Sequence, residues 1–180
     1  MAAFQTVEYL RAFLVGRVGW AAFDASLVIS GAFGLFSRGA VAEVGGYASK
    51  FTSGETVGED MELVVRLKRH FTEQGRPCKI DFVPDSVAWT EVPESTKVLG
   101  RQRDRWQRGL IESLMRHRIM LLNPRFGATG TFAFPFFLFL EGFGPIIELS
   151  GYLAFGAIVF TGQASGAYVV IFFSLAFAMG

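Results

Sequence analysis

The sequence predicts an α/β domain followed by transmembrane helices, and three observations point there. All 17 Lys and Arg residues lie at or before Arg125, whereas Gly127 to Gly180 holds no Lys, Arg, His or Asp and only two carboxylates, Glu141 and Glu148. That tail is apolar over lengths typical of membrane-embedded chain. Ahead of it, amphipathic helical periodicity alternates with short apolar runs that read as strands.

Val7, Leu10, Leu14 and Val18 recur at helical spacing, with Phe13 beside them, which suits a helix lying on a core or on a membrane surface. Glu8, Arg11 and Arg17 interrupt any apolar segment and no basic stretch precedes it, so the N-terminus does not read as a secretory signal. The run beginning Leu27-Val28-Ile29 reads as a buried strand that breaks into a loop at Gly31 and Gly34. Ala40 to Val44 suits a short helix stopped by Gly45 and Gly46.

Thr56 and Glu59 have the T-x-x-E spacing of a capping box, after which Leu63, Val64, Leu67 and Phe71 repeat on one helical face up to Gly75. Lys79 to Val83 and Ser86 to Glu91 read as edge strands about a Pro84-Asp85 turn, with Pro93 barring continuation. Ser95 or Thr96 then caps an amphipathic helix carrying Val98, Leu99, Trp106, Leu110 and Leu114 and reaching Arg118.

From Lys97 to Arg118 that helix holds seven Lys or Arg against Asp104 and Glu112, a local surplus suited to anionic lipid or to phosphates. Thr131 to about Phe160 is long enough for one membrane span, bent at Pro135, Gly142, Gly144 and Pro145. Ala167 to Met179 is apolar throughout but reaches only about 20 Å as a helix, against a hydrocarbon core of roughly 30 Å, so it reads as a second span cut short. The cations just before the first span place the preceding residues in the cytoplasm, with the chain in an inner or plasma membrane.

The overall charge of +1 makes no electrostatic case for nucleic acid. A single cysteine, Cys78, excludes an intramolecular disulfide and a structural zinc site. His70 and His117 have no metal-ligating neighbours at useful spacing and read as surface residues.

Two constellations could carry chemistry. Gly58-Glu59-Asp60 sets two acids at the opening of a helix, where they serve either as a base in a reaction or simply as first-turn acids meeting the helix dipole. Gln102, Arg105 and Trp106 stand at i, i+3 and i+4 and share one helix face. An aromatic plate stacks on a pyranose, a guanidinium forks onto phosphate and an amide bonds hydroxyls, although the same trio suits a helix lying among lipid headgroups.

The order S-G-A-F, then G-E-D, then Q-R-D-R-W, then apolar spans resembles the processive family 2 glycosyltransferases, the group of cellulose, chitin, hyaluronan and poly-N-acetylglucosamine synthases. The resemblance implies a partial GT-A fold at 1–93, its second half, then an interface helix with the QxxRW motif at 94–126 and a transmembrane region at 127–180. It implies Asp60 as the general base toward the acceptor, Glu59 beside it, and Gln102, Arg105 and Trp106 lining the acceptor and diphosphate site. Ser30 and Gly31 match a small-residue turn near the acceptor terminus, which a tight strand-to-loop turn would equally explain.

Such enzymes use a nucleotide-sugar donor, here a UDP-sugar, and hold Mg²⁺ or Mn²⁺ through a D-x-D motif that this sequence lacks. The expectation is therefore a fragment without the donor-binding half, inactive alone and binding no metal itself, whose partners are donor, glycan acceptor and bilayer. Two rivals stand beside it: a non-processive enzyme that glycosylates lipid or protein, and a non-catalytic module whose basic helix binds lipid.

Overall fold

The computed structural model describes residues 2–29, 31, 33–48, 56–85 and 91–179. The chain divides into two compact units, residues 1–142 and 143–180.

In the first unit, α1 (Ala2–Tyr9) passes through a π-helical stretch, Leu10–Arg17, into α2 (Val18–Ala22). α3 (Arg38–Glu43) starts at Ser37, whose hydroxyl accepts from the Ala40 amide, and α4 spans Glu59–Glu73. Both end as the glycines predict. Gly45 and Gly75 have positive φ, and the amides of Gly46 and Arg76 reach back to the carbonyls of Val41 and Phe71 in paired Schellman closures.

α5 (Thr96–Arg116) is capped by Ser95, whose hydroxyl accepts from the Val98 amide, an arrangement worth about 1 kcal/mol. Two 3₁₀ turns, Arg118–Met120 and Pro124–Phe126, lead to a π segment at Thr129–Ala133, α6 (Phe134–Phe136) and another π segment at Phe137–Gly142.

No strand is present among the described residues, so the α/β expectation is met here only by its helices. Leu27 is fully buried, as the apolar run predicted, and the buried Ala25 before it donates its amide to the Trp20 carbonyl at 2.9 Å rather than to a strand. A strand exists only with a neighbour to share its ladder, and among the described residues neither this run nor 79–83 has one. The Pro84-Asp85 turn forms, and Ser86 to Thr90 lie outside the described residues.

The main core joins Leu27, Met61, Val65, Leu114, Met120, Phe126, Phe134 and Leu138, with Trp20 packed at its edge. A second cluster sets Leu63, Leu67 and Phe71 of α4 against Phe36, Val41 and Val44. α4 is thus buried on two sides rather than on the single face its periodicity suggested.

Phe134 is completely buried in the first unit, because an apolar segment reads the same whether protein or lipid is to cover it. No single described helix is long and apolar enough to cross a membrane. Thr129–Gly142 and Gly144–Phe160 reach that length and composition only as a broken pair. Glu141 and Glu148, the two carboxylates of the apolar tail, belong to different helices.

The second unit comprises α7 (Gly144–Phe160) and α8 (Gly166–Met179), joined by a turn through Gly162 at φ 71°. Phe155 stacks on Phe172 with ring centroids 4.0 Å apart, and Tyr152 meets Phe172 edge-on. Ile146, Leu149, Leu153 and Phe160 on α7, with Val170 and Ile171 on α8, are exposed. Apart from Glu148, the two helices carry mainly apolar residues on every side.

Candidate functional site

The site is organised by the opening of α4 against the middle of α5. The capping box expected of Thr56 and Glu59 does not form: Gly58 is the N-cap, without a side-chain cap, and Glu59 is the first helical residue. Thr56 lies two residues before that cap, and its hydroxyl donates to Glu112 Oε2 at 2.7 Å. Its oxygen accepts from the Gly58 amide at 3.2 Å.

Glu59 is exposed, whereas Asp60 is half-buried and takes the Met61 amide on Oδ1 at 2.8 Å, leaving Oδ2 for other partners. Gly31 lies directly against that carboxylate. A Cβ built on Gly31 would fall 2.7 Å from Asp60 Oδ2, so a side chain there would have to push the Asp60 carboxylate aside. Ser30 lies outside the described residues.

Arg17, at the end of the π-helical stretch, is a site residue the sequence motifs do not reveal. Burial pushes its guanidinium down to about 10, partly offset by the attraction of Asp60. Only the fold brings residue 17 to residue 60, although π-helical turns often mark functional positions.

Gly109 and Gly58 form the crossing point of the two motif-bearing elements. A Cβ on Gly58 would lie 2.7 Å from the Gly109 Cα, and one on Gly109 would lie equally close to the Gly58 Cα. The G-E-D segment therefore touches α5 backbone to backbone, one to two turns from Gln102, Arg105 and Trp106 on the same helix. The signal that could have found Gly109 is an isolated glycine inside a strongly helical stretch, which commonly has a packing reason.

Gln102 and Arg105 share a shallow cleft of about 240 Å³ with Val98 and Arg101. The buried Gln102 Oε1 has no hydrogen-bond partner among the described residues. Trp106 does not line that cleft. Its ring is 43 % exposed, with the Arg103 guanidinium 5.0 Å from the ring centroid. Gln107 donates to the Gly142 carbonyl at 2.6 Å, fastening the end of the π segment to α5.

One turn into α4 lies a charge cluster that spacing alone did not show. Glu62 is fully buried and paired with Arg66 at 3.0 Å, His117 at 3.3 Å and Arg116 at 3.9 Å. Burial would raise the Glu62 carboxyl, but the hydrogen bond from His117 and the charge of Arg66 hold it below the ordinary glutamate range. His117 is therefore a buried structural partner rather than a surface residue, since its acid lies 55 positions away in sequence. His70 is half-buried and bonded to Glu43 and Gln74. Cys78 is free, and burial raises its thiol.

The resemblance to family 2 glycosyltransferases implies a divalent metal held through a D-x-D motif that this sequence lacks. Among the described residues no group of three or more His, Cys, Asp or Glu converges to hold one. Asp60 and Glu59 alone fall short of the three or more ligands such a centre would gather.

Residues 1–179 match the family model described as glycosyl transferase family group 2. The chain is 35 % identical over 114 residues to poly-β-1,6-N-acetyl-D-glucosamine synthase of Staphylococcus aureus, covering 62 % of this chain and 24 % of that protein. It is 33 % identical over 113 residues to chitin synthase A of Colletotrichum graminicola, covering 60 % of this chain and 6 % of that one. The chain thus spans about a quarter or less of these curated relatives. No solved structure matches.

Proposed function

The chain belongs to glycosyl transferase family group 2, and we propose that it forms the acceptor side of a membrane-bound inverting enzyme that lengthens a polysaccharide from a nucleotide-sugar donor. Its relatives are polysaccharide synthases, in keeping with the processive group that the ordered G-E-D and QxxRW motifs resemble. The observation that carries the reading is the contact of Gly58 with Gly109, which joins the acid motif to the helix bearing Gln102, Arg105 and Trp106.

In this reading the acceptor hydroxyl hydrogen-bonds to Asp60. As its oxygen attacks the anomeric carbon, the hydroxyl proton passes to that carboxylate, while the bond to the nucleoside diphosphate breaks on the opposite face with inversion. Arg105, with Gln102, stabilises charge on the departing diphosphate, and Trp106 stacks on the acceptor sugar. Gly31 keeps the approach to Asp60 open. The apolar α7 and α8 serve as membrane anchor, with the acid and QxxRW motifs on the cytoplasmic face.

The name of one relative favours N-acetylglucosamine as the transferred sugar, and in this reading it arrives as a UDP-sugar. These 180 residues contain no D-x-D motif, so transfer is expected of the full-length protein and not of this segment by itself. Membranes containing the full-length protein, supplied with radiolabelled UDP-N-acetylglucosamine and Mg²⁺, should build label into a polymer. Label confined to lipid or protein would favour the non-processive rival, and no incorporation from any nucleotide sugar would leave only the lipid-binding module.

Trp106→Ala in that full-length enzyme should raise the KM for acceptor about tenfold and leave the KM for donor unchanged, because a stacking plate is lost while the phosphate ligands stay. Initial rates over a matrix of donor and acceptor concentrations decide it. An unchanged acceptor dependence would remove Trp106 from the site.

A further inference from the structure

The segment leading into Gly58 is fastened to α5 by a side chain outside both motifs. Glu112 Oε2 accepts from the Thr56 hydroxyl at 2.7 Å and from the Val57 amide at 3.4 Å. Because the Thr56 proton is committed to Glu112, its oxygen is free to accept from the Gly58 amide at 3.2 Å. The Gly58 carbonyl in turn accepts from the Glu62 amide at 2.9 Å, closing the first turn of α4 around Asp60. A continuous series of hydrogen bonds thus runs from α5 to the helical turn that presents the acid.

On α5, Glu112 stands seven residues, or two turns, after Arg105, so the two project from nearly the same side of one rigid helix. Gly109 lies between them, where the α4 entry touches the backbone. Neither Thr56 nor Glu112 contributes to the buried clusters. Glu112 is exposed, so the core does not depend on it.

We propose that Glu112, acting through Thr56, is a positioning residue that holds Asp60 in register with the Gln102, Arg105 and Trp106 face of α5. The inference rests on the reading of Asp60 as the base. An angstrom of misplacement between a base and the group it serves can cost about a hundredfold in rate, so a tether of this kind acts on turnover rather than on binding.

The test uses the full-length enzyme in membranes, with Thr56→Val, Glu112→Ala, their double variant, the conservative Thr56→Ser and Glu112→Gln, and Asp60→Asn. Thr56→Val and Glu112→Ala should each lower kcat about tenfold or more, with the donor KM unchanged and the thermal midpoint of the detergent-solubilised protein held. The double variant should be no worse than the more damaged single, because both break one contact. Thr56→Ser, which keeps the hydroxyl, should restore most of the wild-type kcat, and Glu112→Gln should lie between.

Wild-type kcat in both single variants, additive losses in the double, or losses that follow the folded fraction would overturn the positioning role. Asp60→Asn separates this from the larger reading. If it is inactive while the Glu112 and Thr56 variants turn over normally, only the positioning role fails. If it transfers sugar normally, the base assignment fails and takes this inference with it.

Discussion

Asp60→Asn in the full-length enzyme lowers kcat by about 10²- to 10⁴-fold and leaves the protein in the membrane at its normal level. That range is what a positioned general base contributes to proton transfer. The substitution is nearly isosteric: the carboxamide oxygen it introduces can still accept the Met61 amide that Asp60 Oδ1 binds, and the contact with Gly31 keeps its shape. What is lost is the ability to take a proton. If Asp60 served only as a first-turn acid, the change would cost about 0.3–1 kcal/mol of helix stability and nothing in rate. Polymer synthesis at the wild-type rate therefore sinks the assignment, while a silent enzyme with unchanged membrane content and unfolding temperature excludes the capping explanation.

The contrast between motif and environment marks what the sequence could convey. G-E-D and QxxRW were legible because each lies within a few consecutive residues, and α5 because Ser95 caps it and its apolar positions recur on one side. The helix stops were legible because a glycine at positive φ acts through its immediate neighbours.

What escaped depends on partners far along the chain. Thr56 and Glu59 have the spacing of a capping box, but the helix starts only after Gly58, and Thr56 bonds a carboxylate 56 residues away. The strand at Leu27 was read from its β-branched character, but ladder bonds need a second strand that no side chain can announce. Arg17 and Asp60 become neighbours only after α1, its π-helical continuation and α4 have packed.

His117→Ala should be the most destabilising single change at this site, by about 3–5 kcal/mol, because it leaves Glu62 buried with one fewer donor in a place water does not reach. An ionised Glu62 only accepts hydrogen bonds, so His117 Nε2 carries the donated proton across the 3.3 Å contact. The loss should lower the thermal midpoint of the detergent-solubilised protein by on the order of 10 °C. Removing the imidazole also weakens the hold of α4 on the C-terminal end of α5, leaving Arg116 at 3.9 Å as the remaining α5 partner of Glu62.

The same cluster sets a pH dependence. Glu62 has a folded-state carboxyl held below its ordinary value, so its contribution is fully present above about pH 4.3 and is lost as pH falls through the lowered value. The wild-type protein should lose stability as the medium is acidified below that range, and Glu62→Gln, which has no proton to gain there, should show a flatter acid limb from a lower starting stability. Parallel acid limbs for the two proteins would mean that the Glu62 carboxyl titrates alike in the folded and unfolded chain. Its pairing with His117 and Arg66 would then be geometric closeness without net stabilisation of its charge.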